Sequence, residues 1–234
     1  MRQRLSPADL FLPADAFAHS YVLCWTLAAL FSHASLAINS VAGPGVDLAL
    51  ASRSVSPTVV VASSETLAKL HATEVATISS GIQKIARVSH DQTMSAGRMP
   101  TDNLLFKLLA PSGNAASSTP GKLRLILASE RAGLDSPTLS STVLGDLRIL
   151  TRARICYALT AAQVAGAVAQ TNMYDYRRDD QPGHSHFGPP LSSVEITLAD
   201  KNDANVGDSS PQGEVSTRAA IGTSVRRRLD FDDG

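Results

Sequence analysis

Apolar positions along this chain fall in short runs, separated by polar stretches rich in glycine, proline and serine. The clearest run is PTVVVAS (Pro57 to Ser63), compact and β-branched, which predicts a buried strand. KLRLILAS (Lys122 to Ser129) and ARICYA (Ala153 to Ala158) predict two more, and SLAINSV (Ser35 to Val41) a shorter one closed by the turn AGPG. Between these runs the spacing becomes helical. One helix is expected from Ser20, as its cap, to about Phe31, a second over Val46 to Val55, and a third from Glu65 to about Val88. A fourth is expected over Pro137 to Leu150, with Ser136 as cap and Pro137 in the first turn.

Strand and helix thus alternate, with connections long enough for crossovers. The pattern predicts an α/β fold with a mainly parallel sheet and flanking helices. After Gln170 the style changes: SSVEITLAD alternates, a polar stretch intervenes and GEVST follows, which predicts a C-terminal β-hairpin. The expected organisation is an α/β core over 1–170, the start of a smaller β subdomain over 171–217 and a loose tail over 218–234. Within the core, 89–120 reads as a loop-rich insertion, with LLFKLLA inside it a short helix or no element at all.

Composition narrows the function classes. The 234 residues suffice for one large domain or two small subdomains, and 44% hydrophobic residues suffice for a core. Lys plus Arg and Asp plus Glu number 21 each, so the basic surplus of a nucleic-acid binder is missing. Cys24 and Cys156 sit in apolar runs and read as two reduced core thiols. Pro7, Asp9, Pro13 and Asp15 interrupt any signal-peptide core. The run Tyr21 to Ile38 raises the question of a membrane span, but Ser32, His33 and Ser35 lie within it and no Lys or Arg flanks it closely. A buried helix followed by a strand, in a cytoplasmic protein, is the expectation.

In a parallel sheet, ligands gather beyond the carboxyl ends of the strands. Two such ends stand out: LRLILASERAG, turning after Ala128 through Ser129, Glu130, Arg131 and Ala132, and RICYALTAAQ, turning through Tyr157 to Thr160. Adjacent, they would form one wall, with a flat ring from Tyr157 and a hydroxyl from Thr160. By composition alone, a packed strand end with a buried tyrosine is the better reading. HSH (His184 to His186) reads as loop histidines, since no partner stands at metal-ligand spacing apart from the distant Asp179 and Asp180. Arg226 to Arg228 read as part of a solvated tail, balanced by Asp230, Asp232 and Asp233. No G-x-S-x-G elbow is present.

The order of the segments adds more. LPADAFAHSY, LAALFSHASL, KLRLILASERAGL, ARICYALTAA, HFGPPLSSVEITLAD and GEVS follow one another from Asp9 to Val215. This order resembles the AMP-forming adenylate-forming superfamily, with its L-P-x-x-H-x-x-G, G-G-A-P, Y-G-x-T-E, G-x-x-G-x-P-x-x-G-V-E and G-E motifs. The AHSY passage looks most like the long-chain, fatty-acyl branch of the acyl-CoA synthetases. The resemblance implies part of the family's N-terminal domain. It also implies a parent activity that uses ATP and magnesium to turn a fatty acid into acyl-AMP, then acyl-CoA.

Carried over, the resemblance places Tyr157 against adenine and Thr160 on the phosphate, with Ala158 and Leu159 between them. Ser129, Glu130 and Arg131 would line the adenine wall through backbone atoms. His19 would lie near the carboxylate or acyl pocket, or be a satisfied core histidine. Gly188 and Pro189 would shape the turn into the hairpin.

The departures are equally specific. Ala158 replaces the family glycine, and Ala161 replaces the glutamate that holds magnesium, which needs carboxylate and phosphate oxygens. SERA replaces G-G-A-P. No phosphate loop precedes Leu12, no S/T-G-D motif follows GEV, and no lid lysine is found. The resulting expectation is a catalytically silent central fragment with no catalytic or metal-binding residue of its own. The alternative is a non-catalytic binding module for a nucleotide, an acyl chain or a protein partner.

Overall fold

The computed structural model describes residues 4–52, 55–77, 87–89, 92–94, 96–98, 123–133, 136–162, 164–177, 183–200, 206–207, 213–219 and 225–229. Most of the expected insertion over 89–120, including LLFKLLA, lies outside them, as do Asp179 and Asp180.

The main sheet contains β1 (Leu10–Pro13), β2 (Ser35–Leu36), β3 (Val59–Ser63), β4 (Leu125–Arg131), β5 (Arg154–Thr160) and β6 (Ala169–Gln170), in the order β2-β1-β3-β4-β5-β6. All pairings are parallel except β5 with β6. β3 is buried at every position, as a β-branched strand in the middle of a parallel sheet must be. Helices α1 (Ser20–Phe31), α2 (Leu48–Ser52), α3 (Ser64–Thr77) and α4 (Ser141–Thr151) connect the strands. A second sheet joins β7 (Val194–Ala199), β8 (Glu214–Ala219) and β9 (Val225–Leu229) in antiparallel order. The expected hairpin is therefore three-stranded, and the segment expected to be a loose tail supplies its last strand.

Strand alternation divides the core in two. Leu12, Val60, Ala62, Ile126, Ala128, Ile155 and Tyr157 face Leu48, Leu67, Leu144 and Leu147 from α2, α3 and α4. Phe11, Val59, Val61, Leu127, Cys156 and Ala158 face Tyr21, Val22 and Ala29 from α1. Only the inner side of α1 is covered. Leu23, Leu27, Leu30 and Phe31 are exposed, Phe31 at 89%. Cys24 is exposed too, so only Cys156 is a core thiol, and burial pushes it up to about 11. Among the described residues, no helix is long and apolar enough to cross a membrane.

Helix starts differ from expectation. Ser20 opens α1 without capping it, because its Oγ donates to the Val164 carbonyl. His19 holds the N-cap position with no side-chain bond to the helix. For α4 the cap is Ser140, whose Oγ accepts from the Val143 N–H, while the Ser136 hydroxyl is buried without a partner.

The amino edge of the sheet is tied by Asp9, which accepts from Arg124 Nε at 2.7 Å and Nη2 at 2.8 Å, from Thr58 Oγ1 and from Ser6 N–H and Oγ. Burial alone would raise the Asp9 pKa, but Arg124, Thr58 and Ser6 outweigh it and hold the carboxyl at about 2. Its contribution of about 2 kcal/mol is complete above the unfolded carboxyl value near 3.8 and is lost as pH falls through about 2. Asp9→Asn should remove it at pH 7, read as a lower urea midpoint, and should flatten the acid limb of the stability curve between pH 4 and 2.

Candidate functional site at the carboxyl edge of the sheet

β4 does not end at Ala128. It pairs with β5 through seven registered positions, the last being Ser129 with Ala158, Glu130 with Leu159 and Arg131 with Thr160. The residues expected to form two turns are therefore strand residues. The chain turns only after Arg131, where the Ala132 N–H donates to the Thr160 carbonyl. Pairing also decides direction, because neighbours along a strand point to opposite faces.

On one face, Glu130 meets Tyr157. The tyrosine hydroxyl donates to Glu130 Oε2 and accepts the Leu139 N–H at 3.1 Å. Tyr157 is fully buried, and the Phe187 ring lies tilted against it with centroids 4.8 Å apart. Burial raises the Glu130 pKa above the usual glutamate value, against the Tyr157 hydrogen bond and the nearby His184, which lower it. Burial also raises the Tyr157 pKa, helped by Glu130. Leu159 packs with Val164, Val168 and Val194.

On the other face lie Ser129, Arg131, Ala158 and Thr160. Ala158 is part of the core under α1. Thr160 Oγ1 donates to the Glu130 carbonyl at 2.8 Å, which locks the hydroxyl against the neighbouring strand. Arg131 reaches across the end of β3 to Asp15, and His19 Nδ1 stands 3.2 Å from the same carboxylate. The structure thus separates the expected single wall into a Glu130–Tyr157 side and an Arg131–His19 side. Asp15 and Phe187 were not singled out from the sequence. For Asp15 a signal existed: it stands four residues before His19 at the start of a helical pattern.

The strand order β2-β1-β3-β4-β5 carries its own message. The chain leaves β1 toward one side of the sheet and returns to build the other side from β3. The crevice of such a sheet opens between the carboxyl ends of β1 and β3. Asp15 and His19 follow β1, and α3 begins directly after β3.

No protein-family profile matches the chain, and no curated protein matches it. Solved structures do. A benzoate CoA ligase from Burkholderia xenovorans LB400 matches 98% of this chain at 14% identity and a TM-score of 0.52. O-succinylbenzoate coenzyme A synthetase from Bacillus subtilis, in complex with AMP, matches 98% at 13% identity and a TM-score of 0.53. ATP-bound MatB from Rhodopseudomonas palustris matches 98% at 13% and a TM-score of 0.51. The fold is that of an adenylate-forming ligase. The chain spans about a third of the length of these neighbours, 36%, 36% and 35% respectively.

Among the described residues, no group of three or more His, Cys, Asp or Glu could hold a metal. Gly188, next to Phe187, has a φ of +74°, and a Cβ there would meet the Gln170 carbonyl oxygen at 2.8 Å and Thr171 Cα at 2.9 Å. Only glycine fits this close approach to β6.

Two outcomes are expected. Gly188→Ala should cost about 2 kcal/mol or more in thermal or urea unfolding, and should displace Phe187 from Tyr157. The raised Glu130 pKa implies stability that is present below the unfolded value near 4.5 and lost as pH rises through the folded value. Glu130→Gln should flatten that decline, measured as urea midpoints from pH 4 to 9.

Proposed function

We propose that this chain supplies the carboxyl-edge wall of an adenylate-forming site, with the Tyr157 ring as the surface for adenine. One observation carries the reading. An aromatic ring, Phe187, already rests on Tyr157 at the end of β5. Phe187 is half-buried and directly precedes Gly188, whose close approach to β6 holds it there, so an adenine entering here would take its place. Offset aromatic pairs at such separations are worth about 1 kcal/mol beyond area burial, so the exchange of one ring for another is close to balanced.

The parent reaction in this reading activates a carboxylic acid with ATP. The carboxylate attacks the α-phosphorus, pyrophosphate leaves, and a thiol of CoA then displaces AMP from the acyl carbon. That chemistry depends on neutralising the phosphate charge and on positioning. With Ala161 in the magnesium position, the chain by itself binds a ligand without turning it over. The names of two of the structural neighbours, a benzoate CoA ligase and an O-succinylbenzoate coenzyme A synthetase, point to an aromatic acid rather than to the fatty acid suggested by AHSY.

The test is calorimetric titration of the folded chain with AMP and a non-hydrolysable acyl-AMP. Phe187→Ala should tighten both about tenfold, because no ring then has to be displaced. A folded Phe187→Ala chain that binds neither sinks the proposal. ATP–pyrophosphate exchange should stay at background, and measurable exchange would overturn the assignment of a silent site.

A further inference from the structure

Helix α1 is apolar on both sides but covered on one. Tyr21, Val22, Thr26 and Ala29 are buried. Leu23, Leu27 and Leu30 stand 44%, 56% and 51% exposed, Phe31 stands 89% exposed, and Cys24 is exposed among them. At about 100° per residue, these five positions fill one stripe roughly 120° wide. Leu27 is the centre of the stripe, both along the helix and around it. A contiguous apolar patch of this kind marks a contact surface.

The stripe itself says what fits it. Its positions read the same from either end: Leu23 and Phe31 stand four residues on either side of Leu27, Cys24 and Leu30 three. A two-fold contact requires a surface that complements its own reversed copy, and this arrangement meets that condition. Charge points the same way. α1 has no acidic residue in its first turn, no basic residue in its last turn and no side-chain cap, so its dipole is uncompensated at both ends. An antiparallel copy sets each end beside its opposite. No Lys or Arg occurs between Arg4 and Arg53, so neither anionic lipid headgroups nor an acidic protein finds a countercharge around the stripe. The formal charge of the chain is zero, so two copies approach without net repulsion.

We infer that the outer face of α1 is the centre of a homodimer interface, in which two copies pack their α1 helices antiparallel about a two-fold axis at Leu27. Leu27 then meets Leu27 of the other copy. Leu23 and Cys24 come level with Phe31 and Leu30 of that copy, so the most exposed side chain of the helix is enclosed at each end of the seam. A stable dimer buries about 800 Å² per partner. The stripe supplies the apolar centre of that area, and the exposed Ile38 and Val41, which follow the edge strand β2 beside α1, extend it. The two Cys24 side chains lie on one side of the seam, about 9 Å apart along it, which is too far for a disulfide and within reach of a short crosslinker. The interface is independent of the adenine reading, since Tyr157 faces the other side of the sheet.

The experiment is sedimentation velocity of the full chain over a concentration series, in which wild type should form a dimer. Leu27→Glu and Leu27→Lys replace an exposed side chain and should keep the wild-type circular dichroism spectrum. Each variant alone should weaken the dimer about a hundredfold, because like charges face each other across the axis. Mixing the two should restore it, because a residue that meets itself gains from the opposite charge. A short bismaleimide should link wild-type and Cys156→Ser chains into covalent dimers and leave Cys24→Ser unlinked. A folded wild-type chain that stays monomeric throughout the series overturns the inference, as does a dimer that both Leu27 variants leave intact. Variants that stay monomeric when mixed overturn the two-fold axis at Leu27. Co-sedimentation with phosphatidylcholine vesicles in place of self-association gives the face to a bilayer and overturns the homodimer. AMP binding by Phe187→Ala is read separately and moves with neither Leu27 variant.

Discussion

The parallel ladder between β4 and β5 is the constraint on which the carboxyl edge depends. Seven consecutive residues of each strand are held in register, so the direction of every side chain is fixed before any ligand is considered. That register sends Glu130 and Tyr157 to the helix-rich face and Arg131 and Thr160 to the α1 face. A buried acid under a tyrosine and a cation on a carboxylate thus lie next to each other in sequence and on opposite sides of the sheet.

The second constraint is the distribution of helices. Among the described residues, α2, α3 and α4 share one face, while α1 is the helix that covers the other. Tyr21 fixes its position by donating to Gln170 Oε1 in β6 at 2.9 Å. The far side of α1 carries Leu23, Leu27, Leu30 and Phe31 in solvent. A helix apolar on all sides is the kind usually enclosed on all sides, and here only half of it is.

Much of the fold was legible in the sequence. Val59–Val61 are β-branched and bounded by proline and serine, so a buried strand was readable without partners. The alternation of such runs with helical spacing then led to a parallel sheet. What could not be read was where β4 and β5 stop. Ser129 to Arg131 and Ala158 to Thr160 have weak strand character taken separately, and only pairing across the ladder makes them strand. The same is true of the site. Tyr157 and Thr160 could be picked out by residue type, but the division of their neighbours between two faces needs the register. Helix starts failed for a related reason. Ser20 and Ser136 are good capping residues by type, yet one hydroxyl serves the distant Val164 carbonyl and the other lies inside the protein.

Period-two geometry gives the β4–β5 register a further consequence. Deleting one residue from the segment that follows α4, at Arg152 or Ala153, would offer β5 to β4 one position out of step. Every side chain from Ile155 to Thr160 would then exchange faces. Thr160 would leave the α1 side, Tyr157 would be driven under α1 in place of Cys156, and Glu130 would lose the hydroxyl that covers it. The polarity of the whole edge is therefore encoded less in which residues the two strands contain than in the length of the two-residue link between a helix end and a strand start.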